Sequence, residues 1–379
     1  MTEVLRIVAI GSATGTYGGP FDTAVNQARI GSGAGHHVNV LCGHFADDAP
    51  LGRKVGGSSV RSLIPSLPFV TAFSSRLALK IWKAVRRAHV VHISFAREAI
   101  PVFSLLVARL TGTSVILQPH GMLTSRTSRK HALVDLPLRN LARASKIVIA
   151  LTDVEAEQLR AWFGASCPPL MILGNPTPLL DGRDHMSLLD EDGGPPELLW
   201  LARLHPRKRV SVFGQAARTA KREGLNWDFC VVGPDGGELP LLLEMVSELS
   251  RSPGPGRLRY EGAIPGAEVA QRVSKCQVFV LTADSEPWGN VLVLAISLGK
   301  PCVVPESSAL ATVVREFGAG IVVPDDEPNA VVRAVSEILS EHRYGSFVDG
   351  CRELAARHFS DAYQRQRLDA LYRSFSPRA

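Results

Sequence analysis

The feature that most constrains this chain is a pattern that occurs twice: short β-branched runs separated by longer amphipathic stretches. In the first half the strand candidates are Leu5–Ile10, His37–Cys42, Val90–Ser94, Ser114–Gln118, Lys146–Ala150 and Leu170–Leu173. Helical periodicity lies between them, at Phe21–Ile30, Ser75–Arg87, Ala99–Leu110 and Val154–Phe163. Near-continuous apolar strands alternating with helices imply a parallel sheet covered on both faces. Residues 174–196, rich in Gly, Pro and Asp, carry no periodicity and read as an interdomain connection. The pattern resumes at Leu198–Ala202, Asp228–Val232, Leu258–Glu261, Val278–Leu281, Cys302–Val304 and Gly320–Val323. Two doubly wound α/β domains in tandem account for this order. The length of 379 residues and the 45% hydrophobic content supply two cores.

Such sheets bind ligands at the carboxyl ends of their strands, where strand order reverses, so chemistry is sought in the loops after strands. Gly11-Ser-Ala-Thr-Gly15-Thr-Tyr-Gly18-Gly19-Pro20 follows the first strand and precedes a helix. Gly18 and Gly19 there let backbone N–H groups approach a phosphate. The run Gly31 to Gly35 follows a helix and reads as a tight turn. His120 closes the Ser114–Gln118 strand, fixed between Pro119 and Gly121. Arg203, Arg207, Lys208 and Arg209 crowd the loop after the first strand of the second domain, four cations suited to a diphosphate. Asp284-Ser285-Glu286-Pro287-Trp288-Gly289-Asn290 follows another buried strand and opens an apolar helix. There a carboxylate can accept from sugar hydroxyls while backbone N–H groups take phosphate. Solvated surface charge and an acidic helix cap are the bland readings of the last two loops. Asp284 and Glu286 alone do not make a metal site.

Taken in order, these loops resemble the retaining GT-B glycosyltransferases of family 4. The resemblance rests on Gly18-Gly19-Pro20, Pro119-His120-Gly121-Met122, Thr152 to Glu155, Arg203 with Lys208, Val231-Val232-Gly233-Pro234, Glu286-Pro287-Trp288-Gly289 and Gly299-Lys300-Pro301. It implies two Rossmann-like domains facing a central cleft: residues 1–180 for the acceptor, 181–357 for the nucleotide-sugar, and a helix at 358–379 returning to the first domain. It also assigns roles. Gly18 and Gly19 would lie near the phosphates and His120 would contact the donor sugar. Arg203 and Lys208 would neutralise the diphosphate, and Glu286 would hold sugar hydroxyls beside Pro287, Trp288, Gly289 and Asn290. The resemblance implies no metal and no cofactor beyond the donor, because the two cations take the part of Mg²⁺. Front-face attack, with the leaving phosphate accepting the acceptor's proton, is the family's usual account of retention. Two departures stand out: Leu294 occupies the position of the family's ribose-binding Glu, and Ser307 to Thr312 replaces its Gly-Gly motif.

Charge is unevenly spread. Residues 1–180 hold 19 Lys and Arg against 9 Asp and Glu, a net +10, and the remaining 23 against 27 give −4. At 100° per residue, Arg76, Lys80, Lys83 and Arg87 share one stripe, opposite Leu77, Ile81, Val85 and Ala88 and flanked by Leu79 and Trp82. A basic face edged by Trp and Leu suits an anionic membrane surface, although a solvated face gives the same pattern. No signal peptide is read at the N-terminus, and the best apolar run, Ile100 to Ala108, stops at Arg109, too short to span a bilayer. The six cysteines, without metal-ligand spacing, read as reduced thiols. The expectation is a cytoplasmic enzyme, peripheral on the inner face of the cell membrane, moving a sugar from a nucleotide-sugar to a saccharide or lipid-linked acceptor in surface polysaccharide or glycolipid biosynthesis. A nucleotide-sugar epimerase of the same fold, or a catalytically degenerate binding protein, remains open. A dehydrogenase lacks its glycine fingerprint here, and no nucleic-acid-binding module is present.

Overall fold

The computed structural model describes residues 1–11, 19–45, 52–55, 58–66, 75–123, 129–177 and 194–376. The chain divides into two compact units, Met1–Pro178 with Asp361–Ala379, and Leu179–Ser360.

The first unit runs β1 (Glu3–Ile10), α1 (Gly19–Gly33), β2 (His37–Phe45), β3 (Gly52–Val55), β4 (Ser58–Ser66), α2 (Ser75–Arg87) and β5 (Val90–Ser94). It continues α3 (Ala99–Thr111), β6 (Ser114–Gln118), α4 (Arg129–Ala142), β7 (Ile147–Ala150), α5 (Asp153–Phe163) and β8 (Leu170–Ile172). The strand order β3-β4-β2-β1-β5-β6-β7-β8 reverses between β1 and β5, which places a binding crevice at their carboxyl ends. The sheet is not wholly parallel, because β3 pairs antiparallel with β4. This hairpin escaped the sequence reading because Gly52–Val55 is short and Ser58–Ser66 is rich in Ser and holds an Arg and a Pro.

The second unit runs β9 (Glu197–Leu201), α6 (Val210–Arg222), β10 (Asp228–Val232), α7 (Leu239–Arg251), β11 (Arg257–Tyr260), α8 (Val269–Ser274) and β12 (Val278–Val280). It closes with α9 (Asn290–Ser297), β13 (Cys302–Pro305), α10 (Ala311–Glu316), β14 (Gly320–Val323), α11 (Pro328–Ile338) and α12 (Tyr344–Leu354). Its strands, in the order β11-β10-β9-β12-β13-β14, pair parallel throughout, and the order reverses between β9 and β12. Gly233 at the end of β10 has φ 146°, and a Cβ there would stand 1.9 Å from the Ala202 carbonyl oxygen. Only glycine allows the backbones after β9 and β10 to lie that close.

The last helix, α13 (Asp361–Arg373), belongs to the first unit and packs on α1. Its Tyr372 is fully buried, edge-on to His36 and His92, and its carbonyl accepts from the Thr2 hydroxyl at 3.0 Å. Arg29–Asp361 and His36–Asp369 contacts pin the same face. The tight-turn reading of Gly31 to Gly35 needs correction here. Helix α1 continues through Gly31 to Gly33, and Gly31 is small because a Cβ would sit 3.1 Å from both the Tyr372 ring and Val38. Five cysteines are buried and Cys167 is half-buried, and none of the six is in a disulfide.

Candidate functional site

In the second unit the loops after β9 and β12 meet, because the reversal of strand order makes those two strands neighbours. Each strand end carries charge. Lys208 closes a 3-10 turn, Pro206–Lys208, capped by the His205 ring, whose Nδ1 accepts from the Arg207 N–H at 3.2 Å. Thr282, just past β12, shares its hydroxyl between the carbonyls of Lys208 and Arg209 at 2.8 and 2.9 Å. The same oxygen accepts from the indole N–H of fully buried Trp200 at 2.8 Å. That chain fixes the cationic loop to the core, and Lys208 Nζ then reaches the Glu286 carboxylate in an ion pair. Arg209 stands beside it in left-handed backbone, 3.2 Å from Asp326, 3.6 Å from Asp284 and 3.9 Å from Asp325.

The remaining residues singled out in this unit lie on the same two loops or in α9. Arg203 is exposed, its stem over Gly236. Pro287 is half-buried and Trp288 is buried, edge-on to Phe359 at 5.7 Å. Gly289, in left-handed backbone, caps α9 and Asn290 is its first residue. Leu294 is buried within α9, 2% exposed, so it presents no polar group to a ligand.

The first unit holds a second constellation at its own reversal point. His120, with φ 55°, is held by three clamps that sequence reasoning did not find. Its Nε2 lies 3.2 Å from the Ser94 hydroxyl at the end of β5. Gly121 donates its N–H to Glu155 Oε1 at 2.5 Å, while Glu155 Oε2 accepts from the Leu151 N–H at 2.7 Å. Arg97 grips Asp135 with two parallel hydrogen bonds, at 2.7 and 2.8 Å, and donates to the Met122 carbonyl at 2.6 Å. Asp135 takes the Trp162 N–H as well, and the Arg97 guanidinium holds its carboxyl below the ordinary range. Only the Thr152-to-Glu155 segment stood out in the sequence, among the residues that carry the family resemblance; the others act across 25 to 38 positions.

Beneath His120 lies a fully buried cation. Arg6, on β1, donates from Nη2 to Ser94 Oγ at 3.3 Å, and its Nε and Nη1 have no partner among the described residues. Burial, then the Arg6 charge, pushes the His120 imidazole down to about 3. His92, buried and in contact with the Tyr372 hydroxyl at 3.1 Å, is lowered for the same two reasons. Both imidazoles are therefore neutral at pH 7. Ser94 Oγ thus lies between the Arg6 guanidinium and His120 Nε2 and links the buried cation to the imidazole.

Gly18 lies outside the described residues, and Gly19 is the first residue of α1. On α2, Ile81 and Val85 are buried while Lys80, Lys83 and Arg87 are exposed; the Arg76 side chain lies outside the described residues. One cluster among the described residues has metal-ligand spacing, Glu197, Cys230 and Glu261. Its carboxylates are already taken by Arg272, at 2.7 and 2.6 Å, and by Arg259. Ion pairs fill it.

Two family models match the chain: a glycosyl transferase 4-like domain over residues 18–176 and the glycosyl transferases group 1 over residues 195–341. Among solved structures, Alr3699/HepE of Anabaena, determined with UDP and glucose, superimposes with a TM-score of 0.73 at 16% identity, covering 99% of this chain and 100% of that one. The chain belongs to the GT-B glycosyltransferases. The chain is 28% identical over 226 residues to D-inositol 3-phosphate glycosyltransferase 2 of Catenulispora acidiphila, 56% of the chain and 53% of the relative. It is 24% identical over 235 residues to the GDP-mannose-dependent alpha-(1-6)-phosphatidylinositol monomannoside mannosyltransferase of Mycolicibacterium smegmatis, covering 59% of each. The matches thus span little more than half the length of these relatives.

Proposed function

We propose that this chain is a retaining family 4 enzyme that transfers a sugar from a nucleotide-sugar to a saccharide or lipid-linked saccharide. The Lys208–Glu286 ion pair carries the reading. Cation and carboxylate neutralise each other without ligand, and each has a better partner in a nucleotide-sugar: diphosphate for Lys208, sugar hydroxyls for Glu286. Arg203 adds a second cation at the same strand end, and the N-terminus of α9 adds backbone N–H groups. The acceptor oxygen attacks the anomeric carbon on the face the diphosphate leaves. The new C–O bond forms as the bond to phosphate breaks, and the acceptor's proton passes to a phosphate oxygen. The protein's part is positioning and charge stabilisation, with Lys208 and Arg203 in place of a metal. HepE solved with UDP and glucose is the support for a nucleotide-sugar donor.

Calorimetry with UDP, GDP, dTDP and ADP and their common sugar conjugates, without metal, tests this. One nucleotide should bind, and Arg203→Ala should weaken it at least tenfold, about 1.4 kcal/mol. No binding to any of them would leave a degenerate protein, a reading that Leu294 keeps in view. Product analysis separates transfer from epimerisation.

The acceptor side is read as membrane-bound, in surface polysaccharide or glycolipid assembly at the inner face of the cell membrane. On α2, Trp82 and Leu79 are exposed among Lys80, Lys83, Arg86 and Arg87, and Leu106 and Leu110 are exposed on the neighbouring α3. Apolar side chains set in a basic surface fit anionic lipid. The phosphatidylinositol monomannoside mannosyltransferase among the relatives supports a lipid acceptor. No described helix is long and apolar enough to cross a membrane. Failure to co-float with phosphatidylglycerol liposomes at low salt would sink the membrane reading.

A further inference from the structure

The carboxyl ends of β1, β5 and β6 enclose a pocket of about 210 Å³ in the first unit, lined by Val8, Ile10, Ser94, Phe95, Glu98 and His120 among others. Its walls are mostly apolar, and its polar side chains are one hydroxyl, one carboxyl and one imidazole, those of Ser94, Glu98 and His120. The imidazole and the hydroxyl engage each other, Nε2 with Ser94 Oγ at 3.2 Å. The carboxyl is not so engaged. Glu98 precedes α3 at the cap position, yet its side chain makes no capping hydrogen bond. The adjacent Arg97, which could have neutralised it, is committed to Asp135 and the Met122 carbonyl. Among the described residues Glu98 has no ion-pairing or hydrogen-bonding side-chain partner, although it is half-buried. Burial accordingly raises its carboxyl above the ordinary value. A half-buried carboxylate that neither caps its helix nor pairs with its neighbour is costly unless a ligand donates to it.

We propose that this pocket is a monosaccharide-sized subsite for the acceptor, and that Glu98 accepts a hydrogen bond from one of the acceptor's hydroxyls. The volume falls below the roughly 300 Å³ at which sites for drug-sized ligands begin, which suits a single ring. Ile10, Pro20 and Met122, apolar lining residues that are not buried, offer surface to the C–H face of the ring, and Glu98 supplies direction. The inference rests on the glycosyl-transfer reading, since it names where the second substrate of that reaction is held. It also makes a choice among acceptors: rings with an extended apolar edge, such as 6-deoxy sugars, bind better than fully hydroxylated ones.

Saturation-transfer NMR on the full chain, with UDP present, tests it using the methyl α-glycosides of glucose, galactose, mannose and rhamnose as probes. At least one should receive saturation, rhamnoside most strongly. Glu98→Gln, close to isosteric, should weaken that binding at least fivefold, with Glu98→Asp recovering part of it and UDP affinity unchanged in both. Equal binding to wild type and Glu98→Gln overturns the proposal, as does absence of saturation transfer to every glycoside. A wild-type chain that binds no nucleotide at all fails the transfer reading instead, and the UDP titration tells the two failures apart.

Discussion

Lys208 and Glu286 form an ion pair across 78 positions of sequence, with side chains 31% and 15% exposed. They meet because β9 and β12 adjoin where the strand order reverses. A diphosphate arriving at Lys208 must displace the carboxylate. Glu286→Gln should therefore tighten nucleotide diphosphate binding by about two- to fivefold, the worth of a partly exposed pair. The same change should lower sugar transfer by roughly a hundredfold, the scale of losing one oriented polar group in a transition state. Lys208→Ala should weaken nucleotide binding about tenfold by removing a charge-assisted contact. Calorimetry and a transfer assay on both variants check this. If Glu286→Gln weakened nucleotide binding as much as Lys208→Ala, the carboxylate would not be competing with phosphate.

Arg209 sits in left-handed backbone, φ 49° and ψ 50°, at the cap of α6. Its contacts with Asp284, Asp325 and Asp326, at 3.2 to 3.9 Å, are to partly solvated acids and together worth about 1 kcal/mol. A non-glycine residue in this conformation costs about 1–2 kcal/mol. Arg209→Gly should relieve the strain that Arg209→Ala keeps, and so be the more stable of the two by about 1 kcal/mol in urea unfolding. Equal stability of the two variants would show that the loop does not hold this backbone conformation in solution.

The buried imidazoles make stability depend on pH. His120 is pushed down to about 3 and His92 is also lowered, against an ordinary value near 6.5. Below pH 6.5 the unfolded chain takes up protons that these two refuse in the folded state, so stability is full above that value and falls as pH drops toward 3. Each contributes a slope of up to about 1.4 kcal/mol per pH unit. Between pH 6.5 and 5, before most carboxylates titrate, unfolding free energy should fall by about 2–4 kcal/mol, and His120→Asn should remove about half of the fall. An unchanged slope in that variant would mean His120 is protonated in the folded chain.

The sequence made the alternation of strands and helices legible, because buried parallel strands are written as continuous apolar runs such as Phe229–Val232 and Cys302–Val304. The β3–β4 hairpin was missed, since its strands combine Gly, Ser and Arg with few β-branched residues. Residues at strand ends, Lys208, Glu286 and His120, were visible from position alone. Their supports were not. Thr282 and Trp200 under Lys208, and Arg97, Asp135 and Glu155 around His120, come together only through the fold. Arg6 was hidden for the opposite reason: a charge within an apolar strand reads as a solvent-facing interruption, and here it is fully buried.

That buried guanidinium gives the sharpest test of the constellation under His120. Arg6 is too basic to lose its proton at pH 7, since burial lowers it only to about 10. It therefore carries a charge out of water with one hydrogen bond among the described residues, to Ser94. Replacing a buried charge by an apolar side chain of similar length is often neutral or stabilising, by about 1–4 kcal/mol. Arg6→Met should accordingly leave the unfolding free energy equal or raise it by about 1–3 kcal/mol. The same variant removes the positive neighbour that helps hold His120 deprotonated, so the His120 titration followed by NMR should move up from about 3. Ser94 keeps its contact with His120, which leaves the imidazole in place while its proton affinity changes. A stable variant with an unmoved His120 titration would mean that burial alone keeps the ring neutral. A marked loss of stability would show that the cation is held by more than Ser94, and that its charge belongs to the folded state's own balance.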